Sequence, residues 1–363
     1  MKRVFQILVL LTTVIANSHS VEPSEFLPKF SLRGVDKKLY TNEDFAEKDL
    51  LAVVFLSNHC RVSQIFQNQL IKLSEVFKNE KVGIVAVSPN YEQAILPDEL
   101  AYSDLGDSFT EMQKRAYRKS YNFTYLYDGK KQDLTRRIGV KITPTVYLYN
   151  KNRKLVYVGR IGNHETPDRL SSSDLYKSIK TNLTSETEKF KRTKVFGTSI
   201  IFKEDLVLAE QVRKRYADET VRTVYADERK LKFYLTHLTG KPKLFYVWKV
   251  TDIETRDNLI AISTLYKIFR KRGLKVITVC IAEKETNEDT NELLKQAQLS
   301  STNFIVSGSQ VSQLTTIMPK DVKSVTPFYR LLGSDGKMLT GGKGNISKDN
   351  LRLGILNSLN KER

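Results

Sequence analysis

Cys60 is the residue of this chain best placed to do chemistry. It follows the apolar run Leu50–Leu56 and directly precedes a segment with helical spacing that begins at Arg61. A cysteine at the junction of a buried strand and a helix N-terminus meets unpaired backbone N–H groups and the positive end of the helix dipole. Both favour the thiolate, which is the form that attacks disulfides and peroxides. The position therefore predicts a nucleophilic thiol, with a relic cysteine in a degenerate domain as the alternative.

Two residues next to Cys60 could support it. Ser63 follows by one helical turn, so its hydroxyl could hydrogen-bond the thiolate and lower its pKa, with helix capping as the alternative role. His59 is either a local modulator of the pKa, together with Arg61, or a surface residue without a role. Both residues are therefore candidate supporting groups.

The rest of the chain offers little other chemistry. The only other cysteine, Cys280, lies in the apolar run Val276–Ile281, which predicts a core strand in which the thiol acts as a small hydrophobic group. No spacing of His, Cys, Asp and Glu suggests a metal site, and there is no glycine-rich phosphate loop or Ser-His-Asp arrangement. We therefore expect neither a metal nor another cofactor.

The composition and the N-terminus limit the class of protein. The 363 residues suffice for two domains, and 40% hydrophobic residues are typical of a globular chain. Residues 1–20 read as a secretory signal peptide, because a basic start precedes an apolar run of about 13 residues, which is too short to span a bilayer. We expect export to a periplasmic or extracellular location, without a transmembrane segment. The net charge of +18 is scattered and accompanies no groove-reading motif, so no nucleic-acid partner is expected.

The elements that must position Cys60 alternate between buried strands and amphipathic helices, which predicts an α/β fold with a central mixed sheet flanked by helices. The second half of the chain repeats the order of the first half. Four features recur at one constant offset of 183 residues: Thr143 and Thr326, Pro144 and Pro327, Leu155 and Met338, Gly159 and Gly342. The shared register indicates a duplicated domain.

Residues 25–203 resemble the thioredoxin-like redoxin family of the alkyl hydroperoxide reductase/thiol-specific antioxidant type. Residues 205–359 resemble a second, degenerate thioredoxin-like domain of the thiol-disulfide interchange type, in which Trp248 takes the place of the tryptophan before the family's Cys-x-x-Cys. The matching stretches of the first half are Asn58-His59-Cys60, Val87-Ser88-Pro89-Asn90, Tyr125-Leu126-Tyr127-Asp128-Gly129, Thr143-Pro144 and Gly159-Arg160-Ile161. We therefore expect two tandem thioredoxin-like domains, at residues 21–203 and 204–363.

The resemblance implies a site and also shows what that site lacks. It implies that Pro144 is cis and faces Cys60, and that the backbone of Thr143 holds an incoming substrate. Where the family has a resolving sulfur this chain has Ser63, and the segment in which many relatives carry a further cysteine has Thr198. The corresponding slot of the second domain, residues 252–255, contains no sulfur, and its Asp252 and Glu254 are interpreted as helix caps.

These observations predict an exported redoxin that works with one thiol. Cys60 would perform thiol-disulfide exchange on a disulfide-bearing protein, or reduce a peroxide, and an external thiol reductant would complete the cycle. The first reaction is preferred, because the peroxidase pattern Pro-x-x-x-Thr-x-x-Cys would place proline at Val53 and threonine at Ser57. The alternative is a non-catalytic binding scaffold with a basic surface.

Overall fold

The computed structural model describes residues 24–163, 165–185, 190–236, 240–282, 287–308 and 326–360. The predicted signal peptide at residues 1–20 lies outside these ranges. Within them, every helix is too short or too polar to traverse a bilayer.

The described residues form strands and helices in alternation. The strands β1 to β16 are, in chain order, Ser31–Gly34, Leu39–Thr41, Leu50–Phe55, Val82–Ser88, Thr124–Tyr127, Ile142–Thr143, Thr145–Tyr149, Leu155–Gly159, Lys191–Arg192, Thr198–Ser199, Thr223–Tyr225, Lys243–Trp248, Lys275–Ile281, Thr302–Val306, Phe328–Leu332 and Met338–Lys343. The helices α1 to α9 are Arg61–Val76, Phe109–Arg118, Asp133–Ile138, Asp174–Thr184, Leu206–Ala217, Glu228–Thr236, Thr255–Phe269, Asn287–Gln296 and Lys348–Asn360. Short 3-10 helices lie at Asn42–Phe45, Glu92–Ala94, Pro97–Tyr102, Leu170–Ser172, Lys203–Asp205 and Arg270–Arg272.

The first sheet has the strand order β2-β1-β5-β4-β3-β7-β8-β9. Its centre, β3, is buried along its whole length, and its side chains alternate between two cores. Ala52 and Val54 pack in the core that contains residues of α1, α2 and α4, whereas Val53 and Phe55 face the core that contains α3. A strand covered on both faces reads as a continuous apolar run, which is how its sequence predicted it.

The second sheet repeats the centre of the first. Its order is β11-β14-β13-β12-β15-β16, and β12, β13 and β14 are parallel while β15 and β16 are antiparallel to their neighbours. The strands β3, β4, β5, β7 and β8 have the same order and the same directions. The predicted α/β fold with two tandem thioredoxin-like sheets is therefore confirmed.

The apolar run Leu50–Leu56 forms β3 at Leu50–Phe55, and the helix expected from Arg61 forms α1. The residues Asp107-Ser108 followed by Glu111 predict a helix start with Asp107 or Ser108 as N-cap and Glu111 completing a capping box. Helix α2 begins after Ser108, whose hydroxyl and the carboxylate of Glu111 form this capping box, so Ser108 and not Asp107 is the N-cap. The sequence analysis did not predict α5, α6 or β11. Helix α5 has a weak apolar face with Val207 and Leu208 exposed, so its periodicity gives little signal.

The 3-10 helix Pro97–Tyr102 belongs to the first half of the chain but packs into the second half. Ala101 is completely buried in the core around α7 and β12, and the Nζ atom of Lys271 lies 3.0 Å from a carboxylate oxygen of Asp98. On its other side, the carbonyl of Tyr102 accepts a hydrogen bond from the side chain of Gln64 in α1 at 3.0 Å. This helix therefore connects the helix that follows Cys60 to the second sheet.

We expect Ala101→Glu to lower the free energy of unfolding by about 3 kcal/mol, because it places an unpaired charge in an apolar core. Trp248, the only tryptophan and fully buried in the same core, reports unfolding of the second half by fluorescence during urea titration. The control is Tyr117→Glu, which adds the same charge on an exposed position of α2 and should change the stability by less than about 0.5 kcal/mol. Equal effects of the two substitutions would contradict the contact between the halves.

Candidate functional site

Cys60 is the N-cap residue of α1. Its backbone is extended (φ −75°, ψ 115°), and its sulfur accepts a hydrogen bond from the backbone N–H of Ser63 at 3.5 Å. This is the contact with the helix N-terminus that the sequence predicted. The Sγ atom also donates its proton to the carbonyl oxygen of Thr143 at 3.1 Å, and the residue is completely buried. The thiol therefore sits between the start of α1 and the loop before β7, covered from solvent.

The loop that meets Cys60 contains a cis peptide bond between Thr143 and Pro144. This geometry and the approach of this loop to Cys60 confirm the prediction made for Pro144. Thr143 ends β6, and Thr145 begins β7 in register with Phe55 at the end of β3. Because β3 leads into Cys60 and its neighbour β7 follows the proline, the sheet itself brings the sulfur and the loop together.

His59 is buried and paired with Asp107. Its Nδ1 atom lies 2.9 Å from a carboxylate oxygen of Asp107, and both side chains are almost completely inaccessible to solvent. The interpretation of His59 as a surface residue is therefore wrong. Its Nε2 atom is buried and, among the described residues, has no hydrogen-bond partner. A buried nitrogen without a partner is uncommon and marks a position that deserves a chemical explanation.

The carboxylate of Asp107 is the centre of a buried hydrogen-bond network. It accepts hydrogen bonds from the hydroxyl of Ser57 at 2.9 Å, from the backbone N–H of Asn58 at 2.6 Å and from the side chain of Asn90 at 2.6 Å. Together with His59, four groups of the protein stabilise one negative charge. A carboxylate with this many donors can remain ionised in the interior.

The pair stays charged because mutual attraction outweighs burial. Burial alone would lower the pKa of His59, but the charge and the hydrogen bond of Asp107 raise it above its ordinary value. Burial alone would raise the pKa of Asp107, but the charge of His59 and the hydrogen bonds lower it. Glu99 adds a further negative charge near His59, and burial raises the pKa of that carboxyl. Both shifts favour the charged forms, so a positive charge on His59 is stabilised directly before Cys60.

The side chain of Ser63 does not serve the role predicted for it. Its hydroxyl oxygen accepts a hydrogen bond from the backbone N–H of Ser57 at 3.3 Å, while its own backbone N–H reaches the sulfur. Arg61 points away from the pair and lies with its guanidinium 5.2 Å from the ring centre of Tyr102. The contact that Ser63 makes with Cys60 therefore belongs to its backbone, as at any helix start.

The corresponding region of the second half holds a carboxylate in place of sulfur. Thr326 and Pro327 again form a cis peptide bond, and the hydroxyl of Thr326 donates to Asp252 at 2.9 Å. Asp252 also accepts from the backbone N–H of Lys249 at 2.7 Å, so its side chain holds the turn before α7 and does not cap the helix as predicted. Glu254 occupies the N-cap position, but its side chain makes no capping hydrogen bond, so that part of the prediction is wrong.

Cys280 lies in β13 and is fully buried, as its sequence predicted. Burial raises the pKa of its thiol to about 11, and its sulfur lies 3.4 Å from the hydroxyl of Thr290. A protonated, inaccessible thiol does not act as a nucleophile. Among the described residues, no group of three or more His, Cys, Asp and Glu side chains could hold a metal ion.

The structure thus brings Cys60, His59, Thr143 and Pro144 together and adds groups that the sequence analysis missed. Asp107 was considered only as a helix cap, although it is the partner of His59. No local signal connects two residues that are 48 positions apart, and only the fold places them in contact. Asn90 carried a weak signal, since it lies in one of the stretches that match the family.

Known proteins match part of this chain. The profile of the Redoxin family matches residues 22–179, whereas no curated protein matches the chain. A crystal structure of a hypothetical protein from Sinorhizobium meliloti 1021 is 22% identical over 50% of this chain and 96% of its own, with a TM-score of 0.44. A conserved protein from Geobacillus kaustophilus is 25% identical over 50% of this chain and 92% of its own, with a TM-score of 0.42. Peroxidoxin BcpB from Mycobacterium tuberculosis is 12% identical over 46% of this chain and 99% of its own, with a TM-score of 0.35.

These structures each correspond to about half of the chain, and the family profile falls on the half that contains Cys60. The motifs that carried the resemblance, among them Asn58-His59-Cys60 and Thr143-Pro144, lie within the matched residues. The family resemblance predicted from these motifs is therefore confirmed for residues 22–179, which match the Redoxin family.

Proposed function

We propose that this protein is an exported redoxin whose single reactive thiol, Cys60, exchanges with a disulfide of a client protein. The observation that carries the proposal is the position of the sulfur: it lies at the start of α1, 3.1 Å from the Thr143 carbonyl, and directly follows the buried ion pair of His59 and Asp107. The helix start and the imidazolium both place positive charge near this sulfur. The match to the Redoxin family supports the same chemistry.

The reaction would proceed in three exchanges. The Cys60 thiolate attacks one sulfur of the client disulfide, a new S–S bond joins Cys60 to the client, and the second client sulfur leaves as a thiolate that takes up a proton. An external thiol then attacks the mixed disulfide at the client sulfur and releases Cys60. A second external thiol would resolve the reductant–client bond, so that the client gains two thiols and the reductant becomes a disulfide.

Peroxide reduction is the second reaction that this thiol could perform. The thiolate would take one oxygen from the peroxide to give a sulfenic acid and an alcohol, and two external thiols would return the sulfenic acid to the thiol with release of water and a disulfide. In the peroxidase pattern the threonine position is taken by Ser57, and here its hydroxyl donates to Asp107. Because this hydroxyl already donates its proton to Asp107, it cannot donate to a peroxide, and we prefer disulfide exchange.

His59 is proposed as a positioning residue that supplies charge. Electrostatic interaction with Cys60 is one of the influences that raise the pKa of His59, which places the two groups within interaction range. A positive charge beside the sulfur stabilises the negative charge that the sulfur carries when it attacks. Ser63 would contribute through its backbone N–H alone.

The burial of Cys60 favours a second candidate, the non-catalytic binding scaffold. A thiol with no exposed surface cannot react until its cover moves, and the second half already shows the same frame without sulfur. The two candidates differ in one measurable property, the formation of covalent adducts through Cys60.

We expect a Cys280→Ser protein to form client adducts and a Cys60→Ser protein to form none. The two variants are matched, because each removes one buried thiol and leaves the other, and the hydroxyl of Thr290 can receive the new serine at position 280. The mature protein is exposed to an extract of exported proteins, trapped by acid and alkylation, and separated on non-reducing gels. Bands that disappear on reduction should be present in the first variant and at least tenfold weaker in the second. Identical lanes would support the scaffold.

The charge of the buried pair predicts a specific pH dependence of stability. The pKa of His59 is raised on folding, so its contribution is fully present below about pH 6.5 and is lost as the pH rises through the raised value. The pKa of Asp107 is lowered, so its contribution is present above about pH 4 and is lost as the pH falls through the lowered value.

We expect His59→Gln, which retains a donor but not the charge, to lower the free energy of unfolding by about 2 kcal/mol near pH 5. The loss should shrink at pH values above the raised pKa of His59, where the wild-type imidazole is neutral. Urea unfolding between pH 4 and pH 9 measures the difference, and Asp107→Asn should show its largest loss in the same window. A loss that stays constant over this range would show that the pKa of His59 does not change on folding.

A further inference from the structure

Residues 194–199, which we call the strap, run between two anchored positions and pass against Thr143, whose carbonyl contacts Cys60. The first anchor is Thr193. Its backbone N–H donates to the carbonyl of Val158 at 3.0 Å, and its hydroxyl oxygen accepts from the backbone N–H of Arg160 at 3.1 Å and lies 2.7 Å from the hydroxyl of Tyr157. This end of the strap is fixed to the edge of the first sheet.

The second anchor is the buried pair of Ile200 and Ile201. The backbone N–H of Ile200 donates to Lys141 at 2.9 Å, and that of Ile201 donates to the side chain of Asn90 at 2.9 Å. The carbonyl of Ile201 accepts from the side chain of Gln132, also at 2.9 Å. Asn90 in turn donates to Asp107, so this end is tied to the polar network of the site.

Between the anchors, the strap is held mainly by its backbone. Strand β10, at its end, pairs antiparallel with β6, with Thr198 opposite Thr143. The side chain of Phe196 is 47% exposed and stacks with Lys194, so the strap buries little apolar surface of its own. A segment with few buried apolar contacts opens at low cost compared with a core strand.

The strap and the sulfur contact the same carbonyl group. The thiol of Cys60 donates to the oxygen of Thr143, and a Cβ atom placed on Gly197 would lie only 1.8 Å from that oxygen. Only a residue without a side chain can pass this close. A substrate that approaches the sulfur along β6 therefore meets the strap first.

Strand β6 offers an edge for pairing, and β10 of the same chain is paired with it. Within the described residues, β10 is its only strand partner. If the strap lifted, β6 would present unpaired N–H and C=O groups next to a thiol, and such an edge is a template for an extended peptide. A small molecule would not need this edge.

We propose that the strap is an autoinhibitory segment. It occupies the place at Thr143 where the family resemblance implies that a client polypeptide is held, and it must lift before an extended client can pair with β6. This inference rests on the proposed function, since it assumes that Cys60 reacts. It assigns the burial of the sulfur to a closed state and names a polypeptide, and not a peroxide, as the ligand that the site recognises.

Gly197→Ala tests the proposal, because the new methyl group cannot fit against Thr143 while the strap is closed. Two probes are used: an unstructured hexapeptide with one cysteine activated as its 2-thiopyridyl disulfide, and the same disulfide of cysteamine. In each case the Cys60 thiolate attacks the probe sulfur, joins it in a disulfide and expels pyridine-2-thione, which is followed by its absorbance.

The expected result is that both probes react faster in Gly197→Ala than in the wild type, because both need an exposed sulfur. The peptide should gain at least tenfold, and at least three times as much as the small probe, because only the peptide can pair with β6. Gly336→Ala is the matched control. It makes the same change at a positive φ of 78° in the second sheet with no atom within 4 Å of the new Cβ, so it strains the backbone without touching the strap. Cys280 must remain unlabelled in all variants, which excludes general unfolding.

If Gly197→Ala fails to fold, Thr193→Val replaces it, since that change removes the hydroxyl bonds of the first anchor while it keeps the shape of the side chain. A peptide reaction that is equally fast in the wild type and in the strap variant, with the small probe reacting, would overturn the strap and leave the thiol function intact. A Cys60 that neither probe labels in any folded variant, although both label the denatured protein, would overturn the proposed function itself.

Discussion

The buried carboxylate of Asp107 is the group on which the arrangement of the site depends. It fixes the residues that lead into the sulfur through Ser57, Asn58 and His59, and it fixes the base of the strap through Asn90. A buried charge is costly unless it is paired and hydrogen-bonded, so these partners cannot be rearranged one at a time. The strand end, the imidazolium and the strap anchor consequently form one unit, built around a single ionised group.

This unit explains how a sulfur that we propose to be reactive can be covered without being part of an inert core. The cover that meets the Thr143 carbonyl is a strand of two residues, whereas the groups around it are held by a network and by two sheets of apolar side chains. We therefore expect local opening to begin at the strap, before the network or the sheets open. The contrast with Cys280 is physical: that thiol lies inside a central strand, where exposure requires the sheet to come apart.

The sequence was sufficient to predict the parts of the structure that depend on local pattern. Strand β3, helix α1 and the capping box of Ser108 and Glu111 follow from periodicity and cap chemistry. The position of Cys60 at a helix start follows from the same pattern. The pairing of His59 with Asp107 does not, because the two residues meet only after β4 and the 3-10 helix Pro97–Tyr102 have been placed. The pairing of β10 with β6 beside the sulfur was equally unpredictable, since the two strands are more than 50 positions apart in the chain.

The second half of the chain shows which parts of the first half form without the sulfur. The sheet centre, the cis peptide bond before Pro327 and the helix start recur there, yet the position that faces Thr326 is a carboxylate bound by a hydroxyl and a backbone N–H. The fold therefore persists when the sulfur is replaced, because packing stabilises the sheet and local hydrogen bonds satisfy the helix start. The buried ion pair of His59 and Asp107 is different in kind. Apolar residues of similar volume would stabilise the same core without the desolvation cost of two charges, so stability alone does not account for the pair. The proposed reaction of Cys60 accounts for the pair, because it uses positive charge beside the sulfur.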